Sequence, residues 1–596
     1  MRLLTVLMFI LSLFLCTYAV KGKPTSRKKP TQQAPLDQQE NYLIEECLNK
    51  SYTVNSCSKV FCQPWQRCMD GTCSCKLPYQ CPRNGTSVCS AEGRTFRTYC
   101  QLKSYECQRS KSKFRSIGSC KLQDNFEVFL KPENASERFI EVEVNSQKMF
   151  ICRQGWGMNE ANVVCRHLHF LEGADRIEFE HPDDAWNSSE CLKVTCRGIE
   201  TSLTECSLVR MSRGNRKLAK VACHTMSREC SSSEFRCVNR KCIPLDKTCD
   251  GINDCGDLSD ELCCKECKGE SFHCNSDVCI PKEYLCNKEM DCLTGEDETH
   301  QSCRGDETAD ENERGRAEET EEESMDAERR KIKTFLPQIH CGIQNRTITR
   351  RKRIIGGLTA GEGEFPWQVA IRSTTSQVNC GGIYIGGCWI LTAAHCVRQS
   401  SVHTYLIWTG MLNTIIWHSR METFTVKRLI IHEDYNSKTY ENDIALLEMN
   451  SKSSGQTCFP PNTVAACIPW SPYMFRAGHQ CKVSGWGRAE GYEKQFTLKW
   501  GYVNLMSNCS EIYKERYFKG MECAGTYDGS VDSCKGDSGG PLVCFDSYNV
   551  AYVWGIVSWG ENCGEEGHPG VYTKVADYFE WISYHTGKAV VSRFNV

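Results

Sequence analysis

The chain has 596 residues, 43 cysteines and a formal net charge of -2 at pH 7. This length exceeds that of a single domain, so several domains must share the chain. Because the net charge is close to zero, the composition offers no excess of basic surface for nucleic-acid binding, and we expect no nucleic-acid partner.

The N-terminal segment is typical of a secretory signal peptide over residues 1–19. An apolar run at residues 3–15 is followed by small residues near Ala19. An uncleaved membrane anchor is the alternative, but the run is short, and no later segment is long and apolar enough to span a bilayer. Removal of Cys16 with the signal leaves an even number of cysteines. An even number suits full pairing in an oxidising, extracellular compartment, so we expect a secreted protein.

The spacing of the cysteines predicts several disulfide-rich modules. They number 11 in residues 47–120, 6 in 152–223, 7 in 230–264, 6 in 267–303 and 12 in 341–563. Since two of these counts are odd, the simplest pairing places one bridge between the first and third segments. We expect Cys47 to pair with one of the adjacent Cys263 and Cys264.

Two different modules come first. Residues 47–121, with the stretch 93–102, resemble a follistatin/Kazal-like module. Kazal relatives often inhibit proteases, but we favour a disulfide-held spacer or docking module here. Residues 127–225, with the stretches 150–156 and 161–166, resemble a scavenger receptor cysteine-rich domain. Such domains usually bind other proteins.

Two six-cysteine repeats, residues 229–264 and 265–303, resemble low-density-lipoprotein-receptor class A repeats. Acidic residues usually form only a solvated surface, but here they recur at fixed offsets from the cysteines in both repeats. The resemblance implies an octahedral oxygen cage for one structural Ca²⁺ in each repeat. The implied side-chain ligands are Asp250, Asp254, Asp260 and Glu261, then Asn287, Asp291, Asp297 and Glu298, with carbonyl ligands from Lys247, Ile252, Tyr284 and Glu289.

Two further expectations follow from this resemblance. Asn287 replaces the usual acid, so we expect the second site to bind calcium more weakly than the first. Cys264 fits the last position of its repeat, which favours Cys263 as the partner of Cys47.

Residues 304–340 read as an acidic linker. Between residues 304 and 331 the chain is dominated by Glu, Asp and Arg, with almost no apolar residues. Such a composition predicts disorder, because too little apolar surface is available for burial.

His395, Asp443 and Ser538 predict a nucleophilic triad. A nucleophilic serine needs an imidazole base and a carboxylate to orient that base. His395 follows an apolar run, Asp443 precedes an apolar strand, and Ser538 lies in the motif Gly-Asp-Ser-Gly-Gly. A single histidine or aspartate is usually structural, but these three in this order and in these local motifs favour catalysis.

With these motifs, residues 354–596 resemble the trypsin-like serine proteases. The fold class implied is a multidomain, mostly β chain that ends in two antiparallel β-barrels behind small disulfide-rich modules. The resemblance makes Asp532 the base of a pocket for arginine or lysine, and the N–H groups of Gly536 and Ser538 the oxyanion hole. It places further substrate contacts at Ser558, Gly560 and Gly570.

A cluster of basic residues indicates how the protease would be activated. Arg350-Arg351-Lys352-Arg353 directly precedes Ile354, which predicts a furin-type processing site, with a solvated basic patch as the alternative. By the same resemblance, cleavage after Arg353 frees the amine of Ile354. That amine then pairs with the carboxylate of Asp537 and orders the pocket.

The resemblance also assigns disulfides in the protease segment. It pairs Cys380 with Cys396, Cys481 with Cys544, Cys509 with Cys523, and Cys534 with Cys563. Among the four that remain, Cys341 before the cleavage site most plausibly pairs with Cys467, and Cys388 with Cys458. The product would be heavy and light chains joined by a disulfide. Sequons predict glycosylation at Asn49, Asn84, Asn134, Asn187, Asn345 and Asn508.

The order of the modules resembles that of a plasma protease family that regulates complement. This resemblance implies cleavage of the activated components C3b and C4b after arginine. It implies cofactor proteins such as factor H, C4b-binding protein, membrane cofactor protein and complement receptor 1. A matriptase- or hepsin-like pericellular protease and a binding protein with a vestigial protease domain are the alternatives.

Overall fold

A computed structural model describes residues 42–587 of the chain with internal gaps. The gaps are 110–111, 121–125, 133–134, 136, 145, 182–188, 214–216, 300–302, 304–340, 345–356, 375–378, 417–418, 420, 452–457, 459, 488–494 and 562. The predicted signal peptide and acidic linker lie outside the described residues, as do Asn134, Asn187, Asn345, Arg353 and Ile354.

The first module consists of a hairpin and a small three-stranded sheet with one helix. Asp70 and Gly71 both have positive φ, at 50° and 73°, as a tight two-residue hairpin turn requires. Thr98 caps the longer helix, because its side chain accepts a hydrogen bond from the N–H of Gln101. The elements are α1 Glu45–Leu48, β1 Gln66–Met69, β2 Thr72–Cys75, β3 Val88–Ser90, β4 Thr95–Phe96, α2 Tyr99–Gln108 and β5 Phe114–Ile117.

The second domain packs one helix on a curved sheet in the order β11-β10-β8-β7-β12-β9, with β6 beside β7. Its core is apolar and includes Ile140, Ile151, Val163 and Val221, all fully buried. The elements are β6 Phe126–Lys131, β7 Arg138–Val144, β8 Gln147–Ile151, α3 Met158–His167, β9 Ala174–Glu180, β10 Glu190–Thr195, β11 Ser207–Ser212 and β12 Leu218–Cys223.

The two repeats contain little regular structure. Each has one short hairpin and three internal disulfides, so cross-links replace most of a hydrophobic core. The hairpins are β13 Glu234–Arg236 with β14 Cys242–Pro244, and β15 Phe272–His273 with β16 Cys279–Ile280.

The last domain contains two closed six-stranded antiparallel barrels. The first runs in the order β18-β19-β20-β23-β22-β21. The second runs β25-β24-β27-β28-β29-β26 and closes by pairing β26 with β25, while β17 adds to its edge. The strands are β17 Leu358–Thr359, β18 Gln368–Ser373, β19 Asn379–Gly386, β20 Trp389–Thr392, β21 Tyr405–Thr409, β22 Glu422–Ile431, β23 Ala445–Met449, β24 Gln480–Gly485, β25 Lys499–Met506, β26 Met521–Gly525, β27 Pro541–Phe545, β28 Ala551–Trp559 and β29 Gly570–Lys574.

The described part of this domain also contains the α-helices α4 Cys509–Tyr513 and α5 Phe579–Thr586. The expected fold class is therefore confirmed: a mostly β, multidomain chain with a double barrel at its end. Among the described residues, no helix combines the length and the hydropathy needed to span a bilayer.

The first module and the second repeat both contact the double-barrel domain. The Oγ of Ser471 donates to the carbonyl of Ser58, and the hydroxyl of Tyr52 donates to that of Tyr473 at 3.1 Å. The N–H of Ser547 donates to the carbonyl of Thr294 at 3.0 Å. The first module and the second repeat are thus docked onto the barrel domain through polar contacts.

Candidate functional sites

Asp443 is the most enclosed residue of the candidate triad. Its side chain is 0% exposed, and a buried carboxylate is costly unless donors surround it. Three donors do: the N–H of His395 at 2.9 Å, the Nδ1 of His395 at 2.7 Å and the hydroxyl of Ser558 at 2.6 Å. The imidazole is therefore fixed through Nδ1, which leaves Nε2 for a reacting group.

Both barrels hold this carboxylate in place. Asp443 lies just before β23 of the first barrel, while Thr573 on β29 of the second barrel donates to its backbone carbonyl at 2.8 Å. Tyr578 adds a bond of 2.9 Å to the side chain of Asn442. Sequence reasoning identified neither Thr573 nor Tyr578, because no local motif marks a hydroxyl that bonds 130 or 136 residues away.

Ser538 lies on a tight loop before β27. Gly539 follows with φ of +76°, and a Cβ there would lie 2.3 Å from the Oγ1 of Thr392 and 2.6 Å from the carbonyl of Gly381. Only glycine fits this approach of the two barrels. Within the described residues, the Oγ of Ser538 has no hydrogen-bond partner, and the N–H groups of Gly536 and Ser538 have no acceptor. These two donors are thus available to an oxyanion.

Asp537 points away from the triad into the domain. It accepts hydrogen bonds from the N–H of Gly487 at 2.7 Å and from the N–H of Cys534 at 3.0 Å. Burial raises the pKa of Asp537 from its ordinary value of 3.8 to about 6. Among the described residues, no cation pairs with this carboxylate.

Asp532 forms the floor of the candidate pocket. Its oxygens accept from the N–H of Ser533 at 2.7 Å and of Gly564 at 3.1 Å, and burial raises its pKa. A Cβ at Gly570 would lie 2.7 Å from Asp532 Oδ1, whereas a Cβ at Gly560 would have its nearest neighbour at 3.9 Å. A side chain at position 570 would therefore collide with the carboxylate of Asp532, whereas the space beside Gly560 is open.

Comparison with known proteins covers nearly all of the chain. The trypsin family matches residues 354–582. In front of it, the N-terminal FIMAC and Kazal domain families of complement factor I match residues 53–73 and 75–120. The scavenger receptor cysteine-rich family matches 132–227, and the low-density lipoprotein receptor class A family matches 228–264 and 265–303.

Full-length relatives share this arrangement. Complement factor I of Mus musculus is 50% identical over 608 residues, which cover 98% of this chain and 99% of the mouse protein. The chain belongs to the complement factor I family. Complement factor I of Rattus norvegicus is also 50% identical, over 96% of this chain and 97% of the rat protein. The chain is accordingly a serine endopeptidase, which sets aside a binding protein with a vestigial protease domain. Its membership of this family sets aside a matriptase- or hepsin-like pericellular protease.

Described cysteines of this family member are joined in pairs across and within modules. Cys47 is bonded to Cys263, 216 residues away, and Cys264 closes its own repeat with Cys249. In the protease segment the pairs are Cys341–Cys467, Cys380–Cys396, Cys388–Cys458, Cys481–Cys544, Cys509–Cys523 and Cys534–Cys563. Three sequon asparagines, Asn49, Asn84 and Asn508, are exposed.

The acidic residues of the first repeat converge on one buried cluster. Asp260 accepts the N–H groups of Asp254 at 2.8 Å and Cys255 at 3.0 Å. Glu261 accepts those of Asp250 at 3.2 Å and Gly251 at 2.8 Å. Burial, together with the charge of Asp250, raises the pKa of Asp254 to about 7. The exposed ammonium group of Lys247 lies 4.0 Å from Oδ2 of Asp250, at the edge of the cluster.

The second repeat repeats this pattern. Asp297 accepts from the N–H of Asp291 at 2.7 Å, and Glu298 accepts from that of Lys288 at 2.9 Å. Asn287 stands where the first repeat has Asp250; its Oδ1 accepts from the N–H of Glu289, as Asp250 accepts from Ile252. The amide therefore reproduces the loop geometry but removes one negative charge.

Three buried carboxylate oxygens indicate whether these clusters fit a cation. Oδ2 of Asp254, Oδ1 of Asp260 and Oε1 of Glu298 have no hydrogen-bond partner among the described residues. A buried acceptor without a donor is costly, and hard oxygen ligands of this kind suit Ca²⁺. Class A modules typically bind calcium, and both clusters fit it.

One residue near the second cluster was not found from the sequence. Arg197 of the scavenger receptor domain forms ion pairs with Glu289 and Asp291. Arg197 is 92 positions from Glu289 and 94 from Asp291 in the chain, and no local sequence pattern indicates the contact.

Proposed function

We propose that the protein is a secreted plasma endopeptidase that inactivates the activated complement components C3b and C4b by cleaving them after arginine. The observation that carries this proposal is the buried Asp443 network, which lies in a chain similar to mouse complement factor I over 98% of its length. A binding protein without catalysis would need no such network.

The geometry supports a serine-protease mechanism. With Nδ1 of His395 bonded to Asp443, Nε2 takes the proton of Ser538 as its oxygen attacks the scissile carbonyl. The N–H groups of Gly536 and Ser538 stabilise the developing oxyanion. Nε2 then delivers the proton to the leaving amine.

Specificity for arginine is supported by Asp532. Its carboxylate is partly buried, and its hydrogen bonds come from backbone N–H groups. A guanidinium that enters past Gly560 and Gly570 would supply the missing charge bidentately. Ser558 and Gly560 would align the substrate backbone beside this pocket.

We propose that the chain is made as one polypeptide and cut after Arg353. Asp537, with burial raising its pKa to about 6, is suited to receive the ammonium of Ile354. Cys341 precedes the cut and Cys467 follows it, so their disulfide would keep the heavy and light chains together.

Each class A repeat is proposed to hold one Ca²⁺ through the ligands given above. The ion would supply the positive charge that the buried carboxylates lack and so stabilise a module with little core. The carbonyls of Lys247, Ile252, Tyr284 and Glu289 would complete the two cages.

The proposed partners are the substrate proteins and cofactor proteins that present them: factor H, C4b-binding protein, membrane cofactor protein and complement receptor 1. The modules in front of the protease support this, since more than half of the chain lies outside the trypsin match.

The test is incubation of the processed protein with C3b or C4b, with and without factor H for C3b and C4b-binding protein for C4b. Fragments are followed by gel electrophoresis, and Ser538→Ala serves as the inactive control. We expect cleavage after arginine only when the cofactor is present. Cleavage that ignores the cofactor, or intact substrate under all conditions, would refute the proposal.

A further inference from the structure

Arg197 connects the scavenger receptor domain to the second class A repeat. It lies in the loop between β10 and β11, and its side chain is 15% exposed. Its Nη1 is 3.0 Å from Oε2 of Glu289, and its Nη2 is 2.7 Å from Oδ1 of Asp291. The guanidinium carbon also lies 4.5 Å from the ring centroid of Tyr284. One arginine thus contacts three residues of the repeat.

Those three residues are half of the proposed second calcium cage. Asp291 supplies a carboxylate ligand, and Tyr284 and Glu289 supply carbonyl ligands, beside Asn287, Asp297 and Glu298. The other oxygen of Asp291 accepts from the amide of Asn287 at 3.1 Å. Arg197 therefore contacts its three partners from outside the cage. On Tyr284 and Glu289 it contacts the side chain rather than the proposed ligand carbonyl, and on Asp291 it contacts one of the two carboxylate oxygens.

The loop that carries Arg197 is itself fixed. Cys196 is bonded to Cys206, and the N–H of Arg197 donates to Glu200 at 2.7 Å. Gly198 has φ of +86°, and its carbonyl accepts from Arg166 at 2.6 Å. A fixed arginine with a rigid planar fork imposes its geometry on the carboxylates it binds.

The first repeat has no equivalent contact in the described part of the chain. Asp254, which corresponds to Asp291, forms no ion pair, and its Oδ2 has no hydrogen-bond partner. Ile252, which corresponds to Glu289, is exposed. The first cage thus has one more acidic ligand, whereas the second has an arginine that arranges its ligands.

We propose that Arg197 is a positioning residue for the calcium ion of the second repeat. By fixing Tyr284, Glu289 and Asp291, it sets the ligand geometry of a cage that has lost one acid to Asn287. Calcium binding and docking of the scavenger receptor domain are then mutually dependent, because each stabilises the same three residues. The inference rests on the calcium sites proposed above.

The positive charge of Arg197 also repels Ca²⁺, which would favour the opposite effect. Two carboxylates surround this charge, and the Glu289 side chain is only 3% exposed. Without Arg197, the buried carboxylate of Glu289 loses the cation of this ion pair, and breaking a buried ion pair by removing one partner is strongly destabilising. We therefore expect the loss of ordered ligands to outweigh the relief of repulsion.

The first test measures calcium affinity of the whole protein by isothermal titration calorimetry. Asp254→Asn combined with Asp260→Asn removes two carboxylate ligands of the first site, so that the second reports alone. In this background, Arg197→Gln should weaken calcium binding about 10- to 100-fold, the usual effect of removing a residue that orients metal ligands. Arg197→Lys keeps the charge but loses the fork, and its affinity should fall between the two.

The matched control is Arg176→Gln. Arg176 lies in the same domain, and its ion pair of 2.5 Å is with Glu137 of that domain rather than with a repeat. It removes the same charge and should leave calcium affinity unchanged. Unchanged or tighter calcium binding in Arg197→Gln would overturn the inference. If the parent protein binds no calcium in either repeat, the calcium sites themselves are refuted, and the inference with them.

A second measurement covers the case in which Arg197→Gln folds poorly. Hydrogen exchange of residues 196–206 is compared with and without calcium in the unaltered protein and in Asp291→Asn. Calcium should slow exchange in this loop of the neighbouring domain, and Asp291→Asn should abolish the effect. Calcium that protects the second repeat but not this loop would overturn the coupling.

Discussion

Asp443 and Asp254 are both buried aspartates, but their surroundings differ. Asp443 receives three hydrogen bonds from His395 and Ser558. Asp254 has a partnerless oxygen and lies among other carboxylates, and its pKa is raised to about 7. The chain therefore completes the catalytic carboxylate by itself but leaves the cage of the first repeat to a cation. A catalytic residue must be correctly positioned before each substrate binds, whereas a structural site can be completed by the ion that binds to it.

Asp532 lies between these extremes. Two backbone N–H groups hold its orientation, yet burial still raises its pKa. Its missing partner would come with each substrate as an arginine side chain. The buried carboxylates of this protein thus differ in which partner would compensate them: groups of the chain for Asp443, a cation for Asp254 and the substrate for Asp532.

The largest expected effect comes from Asp443→Asn. An amide cannot accept from both His395 and Ser558 in the same way, so the imidazole loses its tautomer and orientation. We expect kcat on arginine peptides to fall about 10⁴-fold, measured with the processed enzyme. Glu522→Gln, which alters another partly buried carboxylate, paired with Lys574 at 3.4 Å, is the control. Equal losses in both variants would contradict a special role for Asp443.

Gly570→Ala should have the next largest effect. The new methyl group would lie 2.7 Å from Oδ1 of Asp532 and displace the carboxylate. We expect kcat/KM on arginine peptides to fall about 100-fold, the scale of a misplacement near 1 Å. Labelling of Ser538 by a small fluorophosphonate needs no basic side chain and should persist. Loss of this labelling would show that the damage extends beyond the pocket.

Asp254→Asn should have opposite effects on the first repeat with and without calcium. In calcium it removes a ligand, so we expect the affinity of the first repeat to fall about tenfold or more. In a chelator it removes one of several unpaired charges, so the calcium-free repeat should become more stable. Titration calorimetry and thermal unfolding measure the two effects. Destabilisation under both conditions would mean that Asp254 is satisfied by groups of the chain.

The smallest expected effect is the pH dependence of Asp537 in the uncut chain, obtained as Arg353→Gln. Its pKa is about 6 in the folded chain and 3.8 ordinarily, so the folded state binds the proton more tightly. Stability should therefore fall as pH rises from about 4 to about 6. The processed protein, with the amine of Ile354 present, should lose about 1 kcal/mol less, or about 2–4 °C in calorimetry. Identical profiles would argue against this pairing.

Much of the architecture could be predicted from the sequence. Cysteine counts predicted a bridge from Cys47 to the third segment, because parity needs no knowledge of the fold. The choice of Cys263 over Cys264 needed the resemblance to class A repeats, and the structure forms this bridge. Motifs placed His395, Asp443 and Ser538 in the double-barrel domain because each carries its chemistry in a few adjacent residues.

Contacts between distant segments could not be predicted in this way. Thr573 supports Asp443 from the second barrel, and Arg197 reaches Asp291 from another domain. Serine, threonine and arginine residues are common on surfaces, so nothing in their neighbouring residues distinguishes these two from the rest.

The sequence by itself determined the family, the order of the modules, the candidate triad and the acids of both repeats. These features follow from short motifs and from cysteine spacing, which can be recognised without the three-dimensional structure. Only the tertiary structure decided which buried carboxylates are satisfied by the chain and which are left for a ligand. That outcome depends on hydrogen bonds of 2.6–3.1 Å between residues up to 115 positions apart. Such distances are set by packing and docking rather than by local sequence.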